Sequence, residues 1–222
     1  YFIAILYSIF GYNDIIYRLF NTLIFLIGIY YLFRTFDILL KDSFLAISAS
    51  LLFFTSPVLV YYGNNFLTDI NALSISFIAW YFFFKYYLNS MPKYLYLSML
   101  LFFLAASYKI TALISLATIC IIFAIELIGV CKFGKEKQKL FKHPIQTIIL
   151  FTAVFTLIGA WGLFAKAYND KYASGYFSTT IFPLWEMTTG DIDKVITNIK
   201  ELWLPQYFHK ITLYLLGGLL II

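Results

Sequence analysis

Seven apolar segments, separated by polar connections of which all but one are short, leave this chain one class of fold. They run over residues 19–36, 44–62, 70–87, 94–108, 110–130, 145–165 and 211–222. Most are near the ~20 residues that a helix needs, at 1.5 Å per residue, to cross ~30 Å of hydrocarbon. Each is apolar all round, and such a helix is stable only among lipid or other membrane helices. Residues 1–10 are also apolar, but they are too short to span unless they are the tail of a truncated helix, and they could instead lie in the interface. Only 12% of the chain is charged, about half the fraction of a soluble domain, so a water-soluble fold is excluded. The expected fold is all-α: a polytopic transmembrane helix bundle, one domain over residues 1–222. The chain begins at Tyr1 without Met and stops at Ile222 inside an apolar run, and it reads as an excerpt from a longer protein.

Lysine and arginine orient the bundle. The connections after the first, third and fifth segments carry Arg34 and Lys41, then Lys85 and Lys93, then Lys132, Lys135, Lys137, Lys139 and Lys142. The alternate connections hold none over residues 61–69 and only Lys109 between the fourth and fifth segments. The positive-inside rule therefore makes residues 132–142 cytoplasmic and turns residues 61–69 and 166–210 outward. The net charge of +5 points to anionic headgroups and not to nucleic acid, since no basic stripe with interleaved aromatics occurs. The 19 Tyr and 25 Phe fit either aromatic belts at both interfaces or biased coding.

The long outer connection, 166–210, holds Ile192, Val195, Ile196, Ile199, Leu202 and Trp203 at helical spacing, an amphipathic helix that covers the bilayer surface or caps a cavity. Asp191 is its expected N-cap and Pro205 its stop. Cys120 and Cys131 lack metal-ligand spacing, and His143 and His209 lie far apart. No sequon, Walker motif, dinucleotide fingerprint, zinc-protease motif or Ser/His/Asp arrangement is present.

An ionisable group near a membrane interior costs about 2.5–3.5 kcal/mol on insertion scales, so each one needs a reason. Asp69 opens the third segment; it or Thr68 serves as a helix N-cap, or its carboxylate faces a metal or a substrate hydroxyl. Lys109 ends the fourth segment, whose fifteen residues make only ~22 Å of helix. Its ammonium either snorkels to the surface or sits recessed, where it suits a phosphate. Asp14 and Arg18 are four apart and share a helix face, so they can pair; Arg18 equally suits bidentate phosphate recognition. Glu126, near the inner interface, reads as a snorkelling group.

Four stretches in order resemble the GT-C superfamily of membrane glycosyltransferases, the protein O-mannosyltransferases and lipid A aminoarabinose transferases most of all. The run from Tyr1 to Arg18, with Phe10-Gly11 before the arginine, resembles the family's juxtamembrane stretch. Thr55-Ser56-Pro57 through Tyr61-Tyr62 to Asp69 resembles its "SP…Y…D" motif. Ser107-Tyr108-Lys109-Ile110-Thr111-Ala112-Leu113 resembles "TKxxAL", with Tyr108 where Thr is usual. The fourth is the outer loop after Trp161, with Trp185, Glu186, Asp191 and Asp193.

The resemblance covers residues 1–161 and implies a GT-C-like bundle that transfers a hexosyl or pentosyl group. The donor would be a polyprenyl-phosphate sugar, and the acceptor a lipid, glycan or protein on the extracytoplasmic face. Asp69 would be an active-site carboxylate, and Lys109 and Arg18 would hold the donor phosphate. The family's catalytic base, an outer-loop acid, would lie upstream of Tyr1. A divalent metal (Mg, Mn or Zn) is admitted, with no ligand set assigned. The implied location is the cell membrane, as a multi-pass protein of the bacterial inner membrane. A transporter or flippase, or an O-antigen polymerase or ligase, is the alternative; a transporter should show paired broken helices in repeated halves, and none is evident.

Overall fold

The computed structural model describes residues 2–134, 138–173, 184–204 and 209–219; among these no strand occurs. The helices are α1 (Phe2–Phe10), α2 (Asp14–Leu40), α3 (Ser43–Phe54), α4 (Pro57–Gly63), α5 (Asp69–Asn89) and α6 (Pro92–Tyr108). A 3₁₀ turn, Ile110–Ala112, leads into α7 (Leu113–Ile128), and α8 (Pro144–Tyr172), α9 (Thr189–Asn198) and α10 (Lys210–Leu219) follow. The seven apolar segments thus appear as helices, an all-α polytopic bundle.

Local chemistry sets the ends. Asn13 caps α2, its Oδ1 accepting from Ile15 N at 2.9 Å, and Asp42 caps α3, accepting from Leu45 N at 3.0 Å. Pro57, Pro92 and Pro144 each sit in the first turn of a helix, where proline's missing N–H costs nothing. Gly129, at φ +85°, ends α7 in the left-handed conformation that favours glycine.

Three helices are long and apolar enough to cross a membrane: α2, the 3₁₀ turn with α7, and α8. The second apolar segment is a fourth if α3 and α4, bent by 67° at Thr55–Ser56, count as one span. The third and fourth segments, α5 and α6, pack together as the interior, and α6 has only 17 residues. On α5, Asn71, Ser74 and Ser76 are buried with Phe83 and Tyr86. On α6, Met99, Phe102 and Ala105 are fully buried, and Ser98 Oγ donates to Ala79 O at 2.9 Å. Large apolar side chains stand exposed on the outward faces, Ile114 and Leu163 both at 72%, as lipid-facing surface requires.

Helices α2 and α5 run parallel. Asn71 Nδ2 donates to Asn21 Oδ1 at 2.8 Å near their starts, and the Tyr31 and Tyr81 rings meet at 5.0 Å further along. Between these contacts Gly28 lies against Ser74; a Cβ on Gly28 would come within 2.7 Å of the Ser74 Cα. Small residues that let backbones approach are the usual device for joining helices in lipid, where burial of apolar surface gives no drive.

Glu126 departs from the surface reading. It is 2% exposed. Its Oε1 accepts from Leu140 N at 2.7 Å and Phe133 N at 3.2 Å, and its Oε2 accepts from Phe141 N at 2.8 Å. The carboxylate therefore folds the lysine-rich connection back onto the bundle, where Tyr86 Oη donates to Leu140 O at 2.8 Å.

The outer helix exists, with two changes. Thr188, not Asp191, is the N-cap, and Asp191 is the third helical residue of a capping box. Beyond Asn198 the chain widens into a π turn, Ile199–Trp203. Ile192, Val195, Ile196, Ile199 and Leu202 remain 42–51% exposed, so α9 presents its apolar stripe outward. The roles expected of Lys135, Lys137 and Pro205 lie outside the described residues, and α8 carries the chain past Lys166 as far as Tyr172 before the outer connection begins.

Candidate active site

Asp69 is the first residue of α5. Thr68 occupies the cap position but makes no side-chain cap bond, so capping does not account for the acidic residue beside it. Lys109 follows the last residue of α6 in extended conformation, φ −149° and ψ 124°. That break separates α6 from the 3₁₀ turn and aims the Lys109 side chain across the helix pair. Its ammonium donates to Asp69 Oδ1, forming the ion pair found among the described residues.

The pair is open to its surroundings: the side chains of Lys109 and Asp69 are 40% and 32% exposed. It stands on a cavity of about 280 Å³ walled by Leu59 and Tyr62 of α4, Ile70, Leu73 and Ser76 of α5, and Thr111 and Ser115 beyond Lys109. Ser115 Oγ also accepts from Trp80 Nε1 at 3.1 Å. A lysine ammonium has three donors and a carboxylate about four acceptor sites, so one contact leaves both groups most of their capacity. The pair can therefore offer N–H donors to an anionic oxygen and an acceptor to a hydroxyl at once.

Arg18 is placed elsewhere. Its guanidinium lies 5.2 Å from the Phe66 ring centroid, on the connection that precedes Asp69, and it does not line the cavity. Asp14 and Arg18 form no ion pair among the described residues. The helical turn around Arg18 instead grips residues 63–68. Asn21 Nδ2 donates to Asn65 O at 2.6 Å, Thr22 Oγ1 donates to Gly63 O at 3.3 Å, and Tyr17 Oη donates to Phe66 O at 3.4 Å. This brace fixes the direction from which the chain enters α5. Asn21 and Asn71, both within 1% of full burial, were given no role by the sequence; a polar residue inside an apolar segment was the signal available.

Two of the three candidate residues thus share one cavity, and the third packs on the connection that leads into Asp69. The family model for dolichyl-phosphate-mannose-protein mannosyltransferase matches residues 1–137, a stretch that contains Arg18, Asp69 and Lys109 and reaches into the lysine-rich connection. The chain belongs to this family. It is a multi-pass membrane glycosyltransferase of the GT-C type, which sets aside the transporter and flippase alternatives. No curated protein and no solved structure matches the chain.

A resident metal does not fit the residues in view. Among the described residues no three His, Cys, Asp or Glu side chains come together, and the Asp69 carboxylate is already engaged by an ammonium. A hard divalent cation wants several oxygen ligands, and this site offers one charged one.

Proposed function

We propose that this glycosyltransferase moves a sugar from a polyprenyl-phosphate donor to an acceptor hydroxyl on the extracytoplasmic face, with the Asp69–Lys109 cavity as its reaction site. The observation that carries the reading is the open ion pair, on the side of the bundle away from the lysine-rich connections, inside the stretch the family model matches.

In this reading Lys109 holds the donor phosphate as a point charge, and Asp69 keeps the ammonium in place and accepts a hydrogen bond from the attacking hydroxyl. The acceptor oxygen bonds to the anomeric carbon, and the bond from that carbon to the phosphate oxygen breaks. Lipid phosphate departs with the electron pair, and the hydroxyl proton passes to a carboxylate. Lys109 stabilises the charge growing on the leaving phosphate, the term that most lowers such a barrier. Arg18, over Phe66 on the connection that leads into Asp69, is in this reading a cation that an incoming phosphate meets before it reaches the cavity.

The test is donor-dependent sugar transfer by the full-length protein, alongside its thermal unfolding. Asp69→Asn removes the charge without changing the shape and should leave folding intact while lowering turnover about tenfold or more, a barrier change of ~1.4 kcal/mol. Lys109→Met keeps the apolar stem and should weaken donor binding. If both variants retain full turnover and donor affinity, the cavity is not the reaction site.

A further inference from the structure

We propose that a second cleft, between α2, α5 and α6 near the lysine-rich ends of these helices, binds the phosphate of an anionic lipid headgroup. The cleft holds about 340 Å³ and is lined by Arg34, Lys85, Tyr30, Tyr31, Tyr81 and Tyr94, with Phe82. It shares no residue with the Asp69–Lys109 cavity and stands whether or not that cavity is the reaction site.

No carboxylate lines the cleft with these cations, and Asp37 acts on Arg34 only from a distance. Among the described residues neither Arg34 nor Lys85 forms an ion pair, although both are half-buried. Asp37, one turn further along α2, gives its carboxylate to the Ser43 hydroxyl at 2.7 Å. Arg34 Nη1 instead donates to Tyr30 Oη at 3.1 Å, and the Lys85 ammonium lies 5.5 Å from the Tyr81 ring centroid. Two half-buried cations with only aromatic partners leave most of their N–H donors free, and the Tyr30 hydroxyl keeps its own hydrogen to donate. A phosphate, with several acceptor oxygens and a negative charge, satisfies both cations.

Depth and shape favour a lipid phosphate over a free one. Arg34 precedes the end of α2 by six residues, about 9 Å of helix, just below the headgroup layer for a helix that reaches the outer edge of the interface, so its long side chain can reach up to a headgroup phosphate. The walls are aromatic, and Phe82 and Tyr94 stack at 6.3 Å. Tyr30 is 51% exposed on the outer face of α2, so the cleft opens sideways, where a lipid can enter with its chains still in the bilayer. A free phosphate would leave those ring faces uncovered.

The test uses the purified full-length protein in zwitterionic nanodiscs, with phosphatidylglycerol, further phosphatidylcholine or inorganic phosphate added, and reads thermal stability and lipids retained in native mass spectrometry. Wild type should be stabilised by phosphatidylglycerol alone. The Arg34→Gln/Lys85→Gln double variant should need about tenfold more of that lipid for the same shift, while Lys132→Gln/Lys142→Gln responds like wild type. An equal response of both double variants would reduce the effect to general surface charge and overturn the site. An equal shift with inorganic phosphate would overturn the lipid as its source. If the Arg34→Gln/Lys85→Gln protein does not fold, Lys85→Gln alone decides: wild-type lipid retention refutes the site, and its loss supports it.

Discussion

The two ends of this bundle each hold a carboxylate, and they are satisfied in opposite ways. Glu126, on the lysine-rich side, is closed off, with three backbone N–H groups spending both of its oxygens. Asp69, on the other side, has one partner, an ammonium, and about a third of its side chain remains exposed on a cavity. A carboxylate whose acceptor sites are filled by fixed backbone donors has nothing left to offer a substrate, and its work is to hold a loop. One that keeps free acceptor sites beside a cation is a place where charge can develop. The two carboxylates carry the same charge; the partner type separates structure from chemistry.

The largest effect should come from Glu126. Replacing it with Ala strands the buried Leu140 and Phe141 N–H groups and the half-buried Phe133 N–H, each buried one costing about 1–3 kcal/mol, so Glu126→Ala should lose at least about 2 kcal/mol of stability. Trypsin should then cut faster at Lys132 and Lys139. Glu126→Gln should fall between: its oxygen still serves Leu140 and Phe133, but its amide faces the Phe141 N–H. Turnover per folded molecule should stay near wild type in Glu126→Gln, and a large drop in turnover at unchanged stability would erase the contrast with Asp69.

A middle effect is expected at the contact that joins the two ends. Gly28→Ala forces a methyl into the Ser74 backbone, and overpacking of this kind costs about 1–3 kcal/mol. Because α2 also carries the residues that grip 63–68, which lead into Asp69, the variant should weaken donor binding through that connection while leaving the Glu126 clamp protected from trypsin. The pairing Gly28→Ala with Ser74→Gly should recover part of the loss. Unchanged thermal unfolding of Gly28→Ala would show that the helices separate there easily.

The spans were legible because apolar length is a one-dimensional signal. What escaped were contacts made across the chain. Glu126 looks like an interfacial charge in sequence, since its donors lie seven to fifteen residues away in a loop without periodicity. Asp69 and Lys109 were placed in one cavity by loop parity, but their pairing, forty residues apart, depends on the helix break at Lys109. Arg18 lies over Phe66 because its turn of α2 faces the 63–68 connection, a contact that residue type alone does not reveal. The bend at Thr55–Ser56 lies inside a stretch read as one span, although Ser56-Pro57 is a helix start in sequence.

The smallest effect sharpens the comparison with a third carboxylate, one that is satisfied but exposed. In α9 the Asp191 Oδ2 accepts from Thr188 Oγ1 at 2.6 Å and Thr188 N at 3.1 Å, and Asp191 N donates back to Thr188 Oγ1 at 3.3 Å. These bonds to Thr188 hold the Asp191 carboxyl below its ordinary value of 3.8. The ionised form is thus favoured in the formed helix, so this contribution to α9 is present above the ordinary value and fades as pH falls through the lowered one. Like Glu126 it serves the backbone, but water surrounds it, and its loss should be felt only locally. Thr188→Ala removes both the cap and the hydroxyl donor. Cleavage of the full-length protein within 189–203 should quicken about fivefold, as for loss of an ordinary N-cap. Acid should begin to loosen α9 at a higher pH in the variant than in wild type, because Asp191 has lost its hydroxyl partner. Sugar transfer and the unfolding midpoint of the bundle should not move. If transfer falls in step with the helix, α9 touches the reaction after all, and partner type alone does not separate the carboxylates of this protein.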